Sequence, residues 1–359
     1  MQLWLSYFYR VYLLFILFGS ILLKQLQNII LSRTDSIGDM VLTLPMAKVL
    51  KTKFPNCTIA VLGKPYTRAV VEACGYIDSF IEMDEFVNGS ITIKGEAPQA
   101  IVFVKPDAHI AKRAKELHIP KRIGVANRLY NWFTCNQLVF LSRKQSDLHE
   151  AQLNLKLLKP FGINKAFSYE EIGNLYGLNR LQPLEQQYSR LIQKEKYNLI
   201  LHPKSRGNAR EWSLTNYIQL IKELDPSRYN IFVSGTQSEI ESLQPLFDEM
   251  GNRVTNLVGA MPLAQFLSFI SQCNGLVACS TGPLHVAAAV GIHAFGLYVP
   301  LRPIHAGRWG PIGKHAHTFI ADGVCGNCTA TDTSHCTCLQ SITPAKIKAA
   351  IEASAIGII

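Results

Sequence analysis

Short apolar runs alternate with amphipathic stretches along most of this chain. In the first half, β-rich apolar runs at Asn28–Arg33, Thr58–Gly63, Phe80–Met83, Ala100–Val104 and Arg122–Val125 read as strands. Helical spacing predicts helices between and after them at Met40–Phe54, Pro65–Cys74, Ile110–Leu117 and Leu148–Leu158, the first stopped by Pro55-Asn56. From Phe161 to Lys196 the pattern dissolves into polar, Gly- and Gln-bearing sequence. It then restarts, with strands at Asn198–His202, Tyr229–Ser234, Val254–Val258, Gly275–Cys279 and Ala294–Tyr298, and helices at Leu214–Leu224, Ser238–Met250, Leu263–Gln272 and Pro283–Val290. A last helix is predicted at Pro344–Ala353. Strand–helix alternation of this kind implies βαβ units on parallel sheets. The predicted fold class is therefore α/β, with two Rossmann-like doubly wound domains facing a central cleft.

Length supports the division, because 359 residues exceed one ordinary core. The expected boundaries are an apolar segment at 1–26, a first domain at 27–165, a linker at 166–196, a second domain at 197–343 and a C-terminal helix at 344–359. Hydrophobic residues make up 48% and charged residues 17%, which excludes a disordered chain. Leu3–Leu23 is almost wholly apolar and interrupted only by Arg10, with Lys24 directly after it. Three readings stay open: a single membrane anchor leaving the following domain in the cytoplasm, an interfacial helix with Arg10 snorkelling, or an extension outside the natural domain.

The formal charge of +10 favours anionic partners such as nucleic acid, a phosphorylated glycolipid or an acidic membrane face. Much of the excess lies between Lys105 and Lys144, where nine Lys/Arg, Arg128 among them, oppose Asp107 and Glu116. Tyr130, Trp132 and Phe133 interleave with these bases, a mixture that also suits single-stranded nucleic acid; no recognition module accompanies it, so no nucleic acid is expected. Cys57, Cys74, Cys135, Cys273 and Cys279 sit singly in apolar or mixed surroundings, as buried reduced thiols do in a cytoplasmic setting. Cys325, Cys328, Cys336 and Cys338 crowd together beside His335. That loop reads either as a metal site or as a structural, redox-sensitive or merely packed cysteine loop. Its Cys-x-Cys pair is tighter than common zinc spacing, so the expectation is no metal.

Candidate chemistry falls on loops that follow strands, where doubly wound sheets bind ligands. Ser280-Thr281-Gly282-Pro283 turns from an apolar strand into a small-residue helix, whose unpaired amides suit a diphosphate or serve as a plain N-cap. His285 lies one turn on. A second such junction, Thr34–Asp39, places Asp39 either as a general base facing the cleft or as a carboxylate favouring a helix N-terminus. Asp35, its local rival, is explained more cheaply as an N-cap. Lys204, Ser205, Arg206 and Arg210 share the loop after the first strand of the second half. They read as phosphate ligands or as a solvated basic loop.

Ser36-Ile37-Gly38-Asp39, His202-Pro203-Lys204 with Arg210-Glu211-Trp212, Ser280-Thr281-Gly282-Pro283-Leu284-His285 and Arg308-Trp309-Gly310-Pro311 occur in consistent order from about Asn28 to the final helix. Taken together they resemble glycosyltransferase family 9, the lipopolysaccharide heptosyltransferase family. The resemblance implies an acceptor-binding first domain and a nucleotide-sugar-binding second domain, with inverting, metal-independent transfer. It implies Asp39 as catalytic base; Lys204, Ser205, Arg210, Ser280, Thr281, Gly282 and His285 at the donor; and Ser36, Gly38, Lys105 and Arg128 at the acceptor. The family frequently carries Asp where this chain has Ser280. No cofactor is implied. The expected substrates are a nucleotide-diphosphate sugar such as ADP-heptose and a lipid-linked glycan at the cytoplasmic face of the inner membrane. A nucleotide-sugar epimerase of similar plan and a non-catalytic nucleotide-sugar-binding protein are the competing expectations.

Overall fold

The structure is a computed structural model, and it describes residues 27–205, 207, 209–326 and 336–356. The apolar segment Leu3–Leu23 with its Arg10, as well as Arg206, Cys328 and His335, lie outside the described residues. Among the described residues no helix is long and apolar enough to cross a membrane.

Twelve strands form two six-stranded sheets in which all neighbours run parallel. The first holds β1 (Asn28–Ser32), β2 (Thr58–Gly63), β3 (Ser79–Glu82), β4 (Ala100–Phe103), β5 (Lys121–Val125) and β6 (Gln137–Val139), in the order β3-β2-β1-β4-β5-β6. The second holds β7 (Tyr197–His202), β8 (Tyr229–Val233), β9 (Thr255–Asn256), β10 (Gly275–Cys279), β11 (His293–Tyr298) and β12 (Ala316–Ile320), in the order β12-β11-β10-β7-β8-β9. Read from β9, the second order repeats the first, so each sheet reverses direction once, between β1 and β4 and between β7 and β10. Such switch points open a crevice at the carboxyl ends of the strands. The segments that follow β1, β4, β7 and β10 carry Asp39, in a first helical turn, and Lys105, Arg210 and Thr281 respectively.

Central strands are apolar on both faces because helices cover both sides of the sheet; β1, β4, β7, β8 and β10 are buried throughout. One hydrophobic cluster runs through both domains, joining Ile29, Met40 and Leu50 of the first to Leu276, Leu284 and Ile312 of the second. The predicted helix Met40–Phe54 is instead two, Ile37–Val41 and Leu44–Lys53. Pro45 accounts for the break: it has no N–H to offer the carbonyl four residues back, and it sits in the first turn of the second helix, where that N–H is not needed. The helix Met83–Asn88 and the strands β6 and β12 were not predicted; β6 and β12 are outer strands with partly exposed residues, too weakly patterned to stand out.

Residues 166–196 hold two short helices, Tyr169–Gly173 and Gln186–Ser189, and are strapped to both domains. The Gly75 amide donates to the Gly177 carbonyl at 2.8 Å and the Arg180 amide to that of Ala73 at 3.0 Å. Gln265 Oε1 accepts from the Glu185 amide at 2.9 Å, and Ser268 donates to the Gln182 carbonyl at 2.6 Å.

The domains meet where the helix Ile37–Val41 packs on the helix Gly282–Val290. A methyl group on Gly38 would lie 2.8 Å from Cδ2 of His285, and one on Gly282 would lie 2.9 Å from Cγ2 of Ile37. The missing side chains thus admit the opposite domain. Gly38→Ala gains about 1 kcal/mol of helix propensity but overpacks this contact at a cost of about 1–3 kcal/mol. The expected result is a lower melting temperature in calorimetry; an unchanged or raised one would refute the contact.

Candidate active site

Arg33 follows β1 directly and is buried, 2% exposed. Its guanidinium gathers three carboxylates: Nε donates to Asp35 at 2.6 Å, Nη2 to Asp39, and Nη1 to Glu150 at 3.2 Å. Glu150 opens the helix Glu150–Lys156 and is also buried. It accepts in addition from Arg143 and, at 2.8 Å, from Arg308 of the second domain. Asn154 reinforces the cluster, accepting from Arg33 and Arg143 while donating to the Leu42 carbonyl at 3.0 Å. Three guanidinium groups thus meet three carboxylates, with Arg308 alone reaching in from the second domain. A buried charge set of this kind is tolerable only when balanced and hydrogen-bonded.

The two aspartates on Arg33 are driven apart. Burial alone would raise the Asp39 carboxyl, but the Arg33 charge and the hydrogen bond from Ser36, whose hydroxyl reaches Oδ2 at 2.5 Å, hold it below the ordinary carboxylate range. Burial raises Asp35, and the neighbouring charge of Asp39 adds to the effect. Asp39 therefore stays ionised, with its side chain 15% exposed. Ser36, not Asp35, is the N-cap of the helix Ile37–Val41, its Oγ accepting from the Asp39 amide at 3.4 Å. Asp35 instead joins Arg33 to Lys105, 3.7 Å away on the loop after β4.

Across the cleft, the helix Gly282–Val290 begins without a side-chain cap. Thr281 Oγ1 is buried and without a hydrogen-bond partner, and so is Nδ1 of His285. Pro283 has no N–H, so the remaining first-turn amides form a small donor set at the positive end of the helix. Ser280 directly precedes Thr281 on this turn, near buried Tyr298, whose hydroxyl donates to the Trp309 carbonyl at 2.6 Å. The loop after β7 lies beside this one, because β7 and β10 are neighbours with His202 opposite Ala278. There Glu211 accepts from Lys204 at 2.5 Å and from the Ser205 amide at 2.8 Å, while Arg210 is buried.

The sequence-predicted residues Ser36, Gly38, Asp39, Thr281, Gly282 and His285 converge on one point, with Lys105 at its rim. Lys204, Ser205 and Arg210 stand on the adjoining loop. Arg128 is exposed on the loop after β5, electrostatically coupled to Tyr130. Sequence reading missed Arg33, Arg143, His149 and Glu150. Arg33 at the end of the first strand was the one local signal; the others lie too far off in sequence to be linked to it.

His149 and His285 are both buried and both pushed down to about 4, chiefly by burial. His149 is fixed as the neutral tautomer, since Nδ1 accepts from the Ala151 amide and Nε2 donates to the Gly310 carbonyl of the other domain at 2.9 Å. The unfolded chain binds protons below about 6.5 that the folded one refuses. Stability contributed by these groups is therefore complete above that pH and lost as pH falls towards 4, by up to ~3 kcal/mol for each histidine. Urea titrations at pH 7 and 4.5 should show the loss, and His285→Gln should reduce it; the same pH dependence in both proteins would refute the assignment. Glu150→Gln leaves three buried guanidiniums undercompensated and should cost about 3–5 kcal/mol. Equilibrium unfolding checks this, and a change below about 1 kcal/mol, the scale of an exposed pair, would contradict it.

The profile of glycosyltransferase family 9 (heptosyltransferase) matches residues 114–337, more than half of the chain. A Haemophilus influenzae protein known only provisionally as a glycosyltransferase is 25% identical over 304 residues, covering 80% of this chain and 86% of the relative. Lipooligosaccharide heptosyltransferase 2 of the same organism is 23% identical over 301 residues, 77% of this chain and 84% of that protein. Among solved structures, Escherichia coli ADP-heptose lipopolysaccharide heptosyltransferase II superposes with a TM-score of 0.72 at 18% identity, over 92% of this chain and 99% of that one, which shows a shared fold. The chain belongs to glycosyltransferase family 9, the heptosyltransferase family.

Proposed function

We propose that this glycosyltransferase moves a heptose from ADP-heptose to a lipopolysaccharide core acceptor, inverting the anomeric configuration. The observation that carries the reading is the placement of an ionised carboxylate, Asp39, against the uncapped helix start at Thr281–Gly282 (contact through Gly38 and His285). The donor chemistry is taken from the named relatives, which include an ADP-heptose enzyme.

In this mechanism the acceptor hydroxyl oxygen attacks the anomeric carbon while the bond from that carbon to the diphosphate breaks. The hydroxyl proton passes to Asp39, and the nucleoside diphosphate leaves. A carboxylate held well below neutral is a weak base, so it takes the proton late, when the attacking oxygen has become acidic. Arg33 keeps Asp39 charged, and Ser36 orients one of its oxygens. Negative charge growing on the leaving phosphate meets the amides after Thr281, the Thr281 hydroxyl and Arg210; Lys204 joins by sharing its bond to Glu211. These fixed cations and dipoles do the work that a metal does in other transferases.

The acceptor side is supported by an exposed apolar patch on the same carboxyl rim. Leu129, Trp132, Phe133 and Phe140 follow β5 and β6 and are 77%, 53%, 69% and 82% exposed. With Lys105, Arg128 and Lys144 nearby in sequence, the patch suits the surface of an anionic membrane that presents a lipid-linked glycan. The protein then works at the cytoplasmic face of the inner membrane.

Release of ADP from ADP-heptose in the presence of a heptose-deficient core acceptor tests the proposal. Asp39→Asn should lower kcat by about 10²–10⁴-fold while ADP affinity in titration calorimetry stays near that of the unmodified protein. Full turnover by the variant would remove Asp39 as base. Failure of the unmodified protein to bind ADP would remove the donor, and isomerised sugar formed from donor alone would replace transfer with epimerisation.

A further inference from the structure

The cysteine loop between β12 and the helix Pro344–Ala355 plays no part in the proposed transfer. Cys325, Cys336 and Cys338 nevertheless bring their three Sγ atoms within 4.8 Å of one another. The Cys325 and Cys338 sulfurs are 3.4 Å apart, too far for a disulfide bond of about 2.05 Å. A tetrahedral ion bound to sulfur at about 2.3 Å requires sulfur–sulfur edges of roughly 3.8 Å, within a few tenths of an ångström of the 3.4 Å pair and below the 4.8 Å that bounds all three. The Cys325 amide also donates to Cys338 Sγ at 3.0 Å. An amide aimed at sulfur stabilises a thiolate, the form that binds metal.

The remaining described cysteines behave differently. Cys57, Cys74, Cys135, Cys273 and Cys279 are buried apart from one another, and burial raises the thiol of each. Cys325 and Cys336 are half-buried, which leaves an ion a route in, and Cys338 is buried beneath them.

We infer that Cys325, Cys336 and Cys338 bind a thiophilic divalent cation, zinc by its preference for tetrahedral thiolate sites, which pins this loop against the phosphate-side turn of the second domain. Binding releases the thiol protons to solvent. Cys328 lies outside the described residues and is not counted in the site.

The location gives the ion a task. Cys336, Leu339 and Gln340 line a cavity of about 180 Å³ together with Lys204, Glu211 and Trp212. Trp212 Nε1 donates to the Ile342 carbonyl at 2.8 Å, so the segment after the cysteines is already bonded to the turn that carries Arg210. Closing the thiolates on an ion ties that segment to the end of β12. The ion is then a structural brace some residues away from the reacting atoms. Its effect on donor binding rests on the proposed function; metal content does not.

The test is elemental analysis of the full chain purified without added metal or chelator, followed by refilling with cobalt. About one zinc per chain is expected for one site, with the thiolate-to-cobalt charge-transfer band and intense d–d bands of a tetrahedral sulfur site after exchange. Cys336→Ser and Cys325→Ser, both at half-buried positions, should each lose most of the metal while keeping the circular dichroism of the fold; Cys57→Ser should keep it. Iron in place of zinc, lost in the same variants, supports the site and changes the cation. No stoichiometric metal, a cobalt spectrum with fewer than three thiolates, or a mass two hydrogens lighter from a Cys325–Cys338 disulfide would each overturn it. If metal is found and ADP does not bind, the brace stands and the donor reading falls.

Discussion

The pairing of buried Arg33 with Asp39 and Glu150 is the constraint on which the site depends. A guanidinium removed from water is costly unless carboxylates surround it, and those that do so here come from different parts of the chain. Glu150 then draws in Arg143 and, from the second domain, Arg308. A single charge-balanced cluster thereby fixes the ionisation of Asp39 and the position of one domain on the other.

The opposite wall obeys a steric constraint. The two helices that start at the carboxyl ends of β1 and β10 approach so closely that neither Gly38 nor Gly282 has room for a side chain. Close approach brings a negative side chain to the positive end of the facing helix. On that arrangement the proposed transfer rests, with an anionic donor at the helix start and a proton acceptor beside it. The neutral histidines His149 and His285 fit the same logic, since burial at the boundary disfavours their charged form.

Architecture was largely legible in the chain because parallel sheets covered on both faces demand continuous apolar strands, such as Asn28–Ser32 and Gly275–Cys279. The outer strands β6 and β12 escaped notice for the converse reason: β12, Ala-His-Thr-Phe-Ile, is partly exposed along its length. Asp39, Thr281 and His285 stood out as candidates because turn chemistry after a strand is a local signal. Asp35 was misread as a cap, since a capping residue is chosen by backbone geometry that sequence leaves undecided between Asp35 and Ser36. That the space left by Gly38 and Gly282 receives the neighbouring domain had no signal along the chain, because the partner atoms of each glycine lie in the other domain.

What the sequence alone determined is therefore what depends on neighbours along the chain: alternation of strand and helix, the doubled domain, and the loops that carry chemistry. Only the tertiary structure decided which charges meet. Residues 33, 150 and 308 carry no mutual spacing rule: the first two meet through the packing of the first domain, and Arg308 joins them from the second. Against burial, the Arg33 charge and the Ser36 hydroxyl made Asp39 the low carboxylate, and burial left Asp35 the high one, because burial and nearby charge are properties of the folded surroundings and not of the residue.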